Sequence, residues 1–193
     1  MAKKTIVFIH GLWIHTSSWQ PWMEFFNQQG YSTLNPAWPG DSATVSECRS
    51  NPQPIANRGV TEIADSYAAV IATLSEPPVV IGHSFGGLIA QVLLGRGIAA
   101  AGVAIDPAPV KGVWQLPFTA LKASLPVLSN PFNFKKAVSL TFNQFRYGFA
   151  NAVPEAEAKE LYERWTIPAE LSGRRMVYKI FFCFLKENVD RWH

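Results

Sequence analysis

The stretch Val79-Val80-Ile81-Gly82-His83-Ser84-Phe85-Gly86-Gly87, continuing as Leu88-Ile89-Ala90-Gln91-Val92-Leu93-Leu94, decides the fold. A short apolar run reaches Gly-His-Ser-Phe-Gly and then opens into a helical pattern, which predicts a strand, a sharp turn and a helix with Ser84 at the apex. A turn this tight strains the serine backbone and brings strand and helix together, so side chains at Gly82 and Gly86 are expected to clash. The hydroxyl is then held clear of the backbone, over a helix N-terminus whose free N–H groups favour negative charge. This G-x-S-x-G form is that of a nucleophile elbow, and the strand–turn–helix setting gives the short pattern its meaning. Glycine and serine are common, and the bland alternative is a plain strand–helix turn with a capping serine.

Working outward, Thr5-Ile6-Val7-Phe8-Ile9 reads as a strand buried on both faces, followed by the turn His10-Gly11-Leu12-Trp13. A helix is predicted from Ser18 to Gln28, stopped by Gly30, and a second strand from Tyr31 to Asn35, closed by Pro36. Residues 36–59, with Pro36, Pro39, Gly40, Pro52, Pro54 and Gly59, read as a long excursion without regular structure. Within it, Asp41 reads as a turn residue after Trp38-Pro39-Gly40. Thr61 to Leu74 places Ile63, Tyr67, Val70, Ile71 and Leu74 on one helical face, and Pro77-Pro78 ends it. After the elbow and its helix to Gly95, Gly102-Val103-Ala104-Ile105 forms a fourth strand that stops at Asp106-Pro107.

Alternating strands and helices imply an α/β fold, a mostly parallel sheet with helices on both faces. Ligands bind such sheets at the carboxyl ends of the strands, and His10, Ser84 and Asp106 all fall at such ends. From Ala108 to about Glu170 the rhythm stops. Trp114, Phe118, Phe132, Phe134, Phe142, Phe145, Phe149 and Trp165 are interrupted by Pro109, Pro117, Pro126, Pro131 and Pro154, which reads as short helices laid over the strand ends. Phe142, Phe145 and Phe149 share a face that either packs this cap onto the body or lines an acyl or aromatic pocket. Glu155, Glu157, Lys159, Glu160 and Glu163 read as a solvated helix face. The expected organisation is a core over 1–107, joined by 172–193, and a helical cap over 108–171.

Composition narrows the function classes. With 193 residues, 48% hydrophobic and 16% charged, the chain suits one domain with a substantial core. A net charge of +3, scattered along the sequence, argues against nucleic acid as a partner. Cys48 and Cys183 are isolated and no metal-ligand spacing occurs, so neither metal nor cofactor is expected. The apolar stretch Ile6–Ile9 is too short for a secretory signal, and no run reaches the ~20 residues of a membrane span. A cytoplasmic location is the expectation.

The elbow, the His10-Gly11 turn and a cap after the fourth strand together resemble the α/β-hydrolase family, over residues 5 to about 170, and most of all its capped bacterial esterase, lipase and perhydrolase-like members. The resemblance implies a three-layer sandwich and an oxyanion hole made by the backbone N–H groups of Leu12, with Trp13 beside it, and Phe85. It makes His10 a turn-shaping residue and His83 one of packing or orientation, with His15 at the surface or the pocket rim. It implies a serine hydrolase that acts on a small-molecule carboxylic ester or related acyl compound through an acyl-enzyme at Ser84. Two alternatives stand beside it: a non-catalytic binding protein on the same body, and cofactor-free perhydrolase or C–C hydrolase chemistry at the same site.

The family's order is nucleophile, acid, histidine, and after Ser84 this chain has only His193. The likeness fades near Ser172, with no later strands or acid-bearing turn to match, as though the frame or domain were cut there. Three readings of the triad stay open. Asp106 is the acid and His193 the base, or acid and base are missing and Ser84 is impaired, or a partner chain completes the site. A sheet ending at the fourth strand leaves an unpaired edge, so a homodimer or poor solubility is expected unless Arg174–Leu185 covers it.

Overall fold

Along Thr5–Ile9 (β1), successive side chains alternate between two apolar environments, as the two-residue period of a strand requires. Val7 and Ile9 join one cluster with Ile63, Tyr67, Val80, Ile89 and Leu93. Ile6 and Phe8 join another with Trp19 and Ile81, against which Met23 and Phe26 pack. The computed structural model describes residues 4–56, 58–110 and 136–170. In it β1 is the hub of a parallel sheet with Ser32–Leu34 (β2), Val79–His83 (β3) and Ala101–Ile105 (β4), in the order β2-β1-β3-β4.

The helices cover both faces, giving the three layers expected. Gln20–Gln28 (α1), entered through a 3-10 turn at Thr16–Trp19, lies on the Phe8 side, where Phe8 packs on Trp19 at 4.9 Å between ring centroids. The helices containing Ile63 and Ile89 lie on the other face. Burying a side chain of the size of Phe8 or Ile9, both fully enclosed, contributes roughly 1.5–3 kcal/mol each, so this sandwich dominates stability. β4 is the edge of the described sheet, and Val103 on it is 47% exposed.

One expectation is corrected between β2 and β3. Residues 36–59 are not wholly irregular: they contain the helix Val45–Ser50 (α2) and a 3-10 turn at Gln53–Ile55. The signal was Thr44-Val45-Ser46-Glu47, a capping box in which the Thr44 hydroxyl accepts from the Glu47 N–H and the Glu47 carboxylate accepts from the Thr44 N–H. The proline content of the flanks hid it. The helix predicted over 61–74 runs Val60–Ile71 (α3), and the elbow helix runs Phe85–Gly95 (α4) as expected.

Of the segment expected to form a cap, residues 136–170 are described. They form two helices, Phe142–Phe149 (α5) and Glu155–Trp165 (α6), with a short antiparallel pair, Ala137–Val138 (β5) against Ala169–Glu170 (β6), that an all-helical reading did not foresee. Phe145 stacks on Phe149 and tilts against Tyr162, and Phe142 meets Tyr162 edge-on, so Phe142 and Phe145 hold α5 to α6. Glu155, Glu157, Lys159, Glu160 and Glu163 are exposed, as expected. Trp114, Phe118, Phe132 and Phe134, the whole of 172–193 with Cys183, and the base proposed at His193 lie outside the described residues.

Candidate active site

β1 pairs with β2 on one side and β3 on the other, so the chain reverses direction across the sheet between β1 and β3. A crevice opens at the carboxyl ends of strands where order reverses in this way. The elbow leaves β3 there, and the His10–Trp13 turn leaves β1 beside it.

Ser84 sits at φ 55 and ψ −119, a conformation that a residue with a Cβ adopts only under constraint. The constraint is visible. Its N–H donates to Ile105 O at 3.0 Å, and its carbonyl accepts from Leu88 N at 3.2 Å and Ala108 N at 3.0 Å. A Cβ on Gly82 would stand 2.0 Å from Gly86 O, and one on Gly86 would stand 2.1 Å from Ile9 O. The three backbones of β1, β3 and α4 therefore touch, and both elbow glycines are obligatory for the reason read from the sequence. A Cβ on Gly11 would meet Ser84 Cβ at 3.0 Å and Ser84 Oγ at 3.5 Å, which sets the hydroxyl directly against the turn after β1. Ser84 as a residue is half-buried. Phe85 and Gly86 open α4, in the first turn, where backbone N–H groups have no intrahelical acceptor.

The turn after β1 is held through contacts of His10, Trp13 and His15. His10 is buried, donates from Nδ1 to Gly11 O at 3.0 Å and stacks on Trp38 at 4.7 Å. Its Nε2 lies 3.2 Å from Asp41 Oδ2, with both side chains 2% exposed. Asp41 is the turn residue expected, its N–H donating to Trp38 O, but its carboxylate also reaches under His10. Trp13, at φ 64, donates from Nε1 to Val138 O at 3.0 Å and accepts at its carbonyl from Ile167 N at 2.9 Å. His15 corrects its expectation: it is buried, not at a rim. Its Nδ1 accepts from Ser17 N and caps the 3-10 turn, which leaves Nε2 to donate to Ser42 O.

A small, mostly apolar cavity of about 20 Å³ lies beside this turn between His10, Leu12, Trp13, Trp38, Arg58 and Ile167. His83 is half-buried, and burial pushes its imidazole below its ordinary pKa, partly opposed by the charge of Asp106. Asp106 follows β4 at φ 41 and is exposed. The strand ends thus bring His10, Ser84 and Asp106 to one edge of the sheet, while the close contact is between Ser84 and Gly11. Among the described residues no cluster of His, Cys, Asp or Glu is arranged to hold a metal ion, and no helix is long and apolar enough to cross a membrane.

Sequence and structure agree on the family. The chain belongs to the alpha/beta hydrolase family, whose profile matches residues 6–191, past the residue at which the motifs cease to be recognisable. Among solved structures it is similar to an extracellular alpha/beta-hydrolase from a Paenibacillus species, described as sharing structural and functional homology with tobacco salicylic acid binding protein 2. There the identity is 25%, the TM-score 0.66, and the match covers 86% of this chain and 67% of that one. It is also similar to the methylesterase protein MES16 from Arabidopsis (12% identity, TM-score 0.59, 88% and 67% covered) and to polyneuridine aldehyde esterase (17%, 0.60, 91% and 72%). This chain spans about two thirds of each of these neighbours. No curated protein matches the sequence.

Proposed function

We propose that the chain is a serine hydrolase of carboxylic esters or related acyl compounds, with Ser84 as nucleophile. The observation that carries this reading is the constrained Ser84 backbone, with its hydroxyl set 3.5 Å from the Cβ position of Gly11. Loss of the Oγ proton to a base lets Oγ bond to the ester carbonyl carbon, and the former carbonyl oxygen becomes an oxyanion. The N–H groups of Leu12 and Phe85 are the proposed donors to it, each contributing about 3 kcal/mol, or 10²–10³ in rate. Collapse expels the alcohol with a proton, and water then releases the acid from Ser84. The proposed acid and base are Asp106 and His193. The esterase neighbours support a small ester as substrate.

A second reading, a binding protein without a working base, is favoured by one observation: His10 and His15 are both buried and engaged by other groups. A fluorophosphonate probe separates the two. An activated Ser84 gains one adduct in intact mass, which Ser84→Ala abolishes; no adduct after hours at high probe concentration would refute the hydrolase reading.

A further inference from the structure

We propose that His10 and Asp41 form a buried imidazolium–carboxylate pair that aims and polarises the Gly11–Leu12 peptide, which makes Asp41 a positioning residue for the oxyanion donor at Leu12. The inference rests on the role given to Leu12 above and adds to it the group that sets its direction.

The proton count leads to it. Gly11 O can only accept, so the contact at 3.0 Å places a hydrogen on His10 Nδ1. The other nitrogen, Nε2, lies 3.2 Å from Asp41 Oδ2, and neither atom has a directed hydrogen-bond partner. Both are fully enclosed. A bare Nε2 facing a carboxylate oxygen would set two acceptors against each other away from water, at a cost that buried sites rarely sustain. One further proton belongs between them, and imidazole is the stronger base of the two in water. His10 therefore carries both ring hydrogens, and the Nε2 contact is an ion pair whose N–H points off the line to Oδ2. The Trp38 face stacked at 4.7 Å and 29° adds attraction to a cationic ring.

The turn that delivers Asp41 is built for this approach. Its N–H donates to Trp38 O at 3.0 Å. Gly40, at φ 95, lies so close to the excursion that a Cβ there would stand 2.0 Å from Pro54 O. Trp38-Pro39-Gly40-Asp41 thus brings a carboxylate under the turn after β1, and no other ion pair among the described residues is so deeply buried.

The consequence falls on one amide group. Gly11 C=O and Leu12 N–H are opposite ends of the same planar peptide, so fixing the direction of one fixes the other. A charged donor on the carbonyl also withdraws electron density and strengthens the N–H as a donor. That gain is realised only when an oxyanion forms, so the pair acts on the transition state and leaves substrate binding alone.

Two measurements test this. Nitrogen-15 NMR of the wild-type chain counts the hydrogens on the His10 ring at neutral pH; two are expected, and one alone would overturn the pair. In Asp41→Asn the expected results are a ring with hydrogen on Nδ1 only and a kcat for a p-nitrophenyl ester lower on the order of tenfold, with KM within twofold. An Asn variant that folds and keeps wild-type kcat overturns the positioning role. Should that variant fail to fold, the wild-type ring count still decides. A wild-type chain that neither turns over the ester nor takes up a fluorophosphonate would refute the reading of Ser84, a result distinct from the ring count.

Discussion

The closeness of three backbones at the elbow makes Gly86→Ala the sharpest test of the site's architecture. The added methyl would stand 2.1 Å from Ile9 O and 2.5 Å from His10 O, backbone atoms at the end of β1 and the start of the turn that follows it. No rotamer relieves such a clash. To reach even a tight contact of 3.0 Å, the start of α4 must retreat from β1 by about 1 Å, in a region packed to crystal-like density. Overpacking of this kind costs about 1–3 kcal/mol, which for a chain of this size lowers Tm by roughly 2–4 °C per kcal/mol. The chemical penalty is larger. The displacement moves Ser84 and Phe85 relative to Gly11 and Leu12, and a misplacement of 1 Å costs about 10²-fold in rate. The assay pairs calorimetry with the second-order rate of fluorophosphonate labelling. Gly95→Ala serves as control: it lies at the end of the same helix with nothing within 4 Å of its Cβ position, and should be neutral or slightly stabilising. A Gly86→Ala variant with unchanged Tm and unchanged labelling would refute the contact between β1 and the elbow.

Two further outcomes follow from groups outside the elbow. Arg49 on α2 donates from Nε to Thr166 O at 2.8 Å and from Nη2 to Tyr162 O at 2.8 Å and Glu163 O at 3.0 Å, so it satisfies the carbonyl end of α6. Arg49→Ala should cost about 1 kcal/mol, given its exposure, and lower Tm by a few degrees in calorimetry; an unchanged Tm would show that this latch contributes nothing. Tyr67 is enclosed, donates to Pro36 O at 2.6 Å, and has its phenol held well above its ordinary pKa, first by burial and then by the charge of Asp41. Above pH 10 the unfolded chain releases that proton while the native chain keeps it, so stability is intact below pH 10 and falls as pH rises beyond it. Tyr67→Phe should flatten that alkaline decline in a Tm–pH series. An identical slope in the variant would assign the decline to other groups.

The sequence was legible where backbone packing leaves one solution. Gly82 and Gly86 could be read as obligatory because strand–turn–helix geometry has no room for a Cβ at either place, and the structure puts a carbonyl oxygen about 2 Å from where each Cβ would stand. Strands β1 and β3 were legible because burial on both faces demands continuous apolar runs. Where side chains from distant segments meet, reading failed. The contact between His10 and Asp41 spans a turn, a helix and a strand, and neither residue carries a local pattern that announces it. His15 was misread because a polar side chain after a turn looks solvated until Ser17 and Ser42 are seen to surround it. In α2 the capping box was present but outweighed by prolines on either side, a case of local chemistry prevailing over composition.

The turn after β1 is where these strands of reasoning meet. Trp13 is a bulky residue at φ 64, a conformation that costs free energy and persists only where the surroundings over-determine it. Those surroundings come from residues 138–167: Ile167 N donates to its carbonyl, its indole donates to Val138 O, and nearby His15 N donates to Trp165 O. The opposite flank of the same turn is fixed by His10, through Gly11 O, to the body of the sheet. Leu12 lies between the two anchors. Both anchors therefore hold the turn that carries its N–H. Removing the contacts from residues 138–167 would leave Trp13 free to relax and the turn without one of its supports.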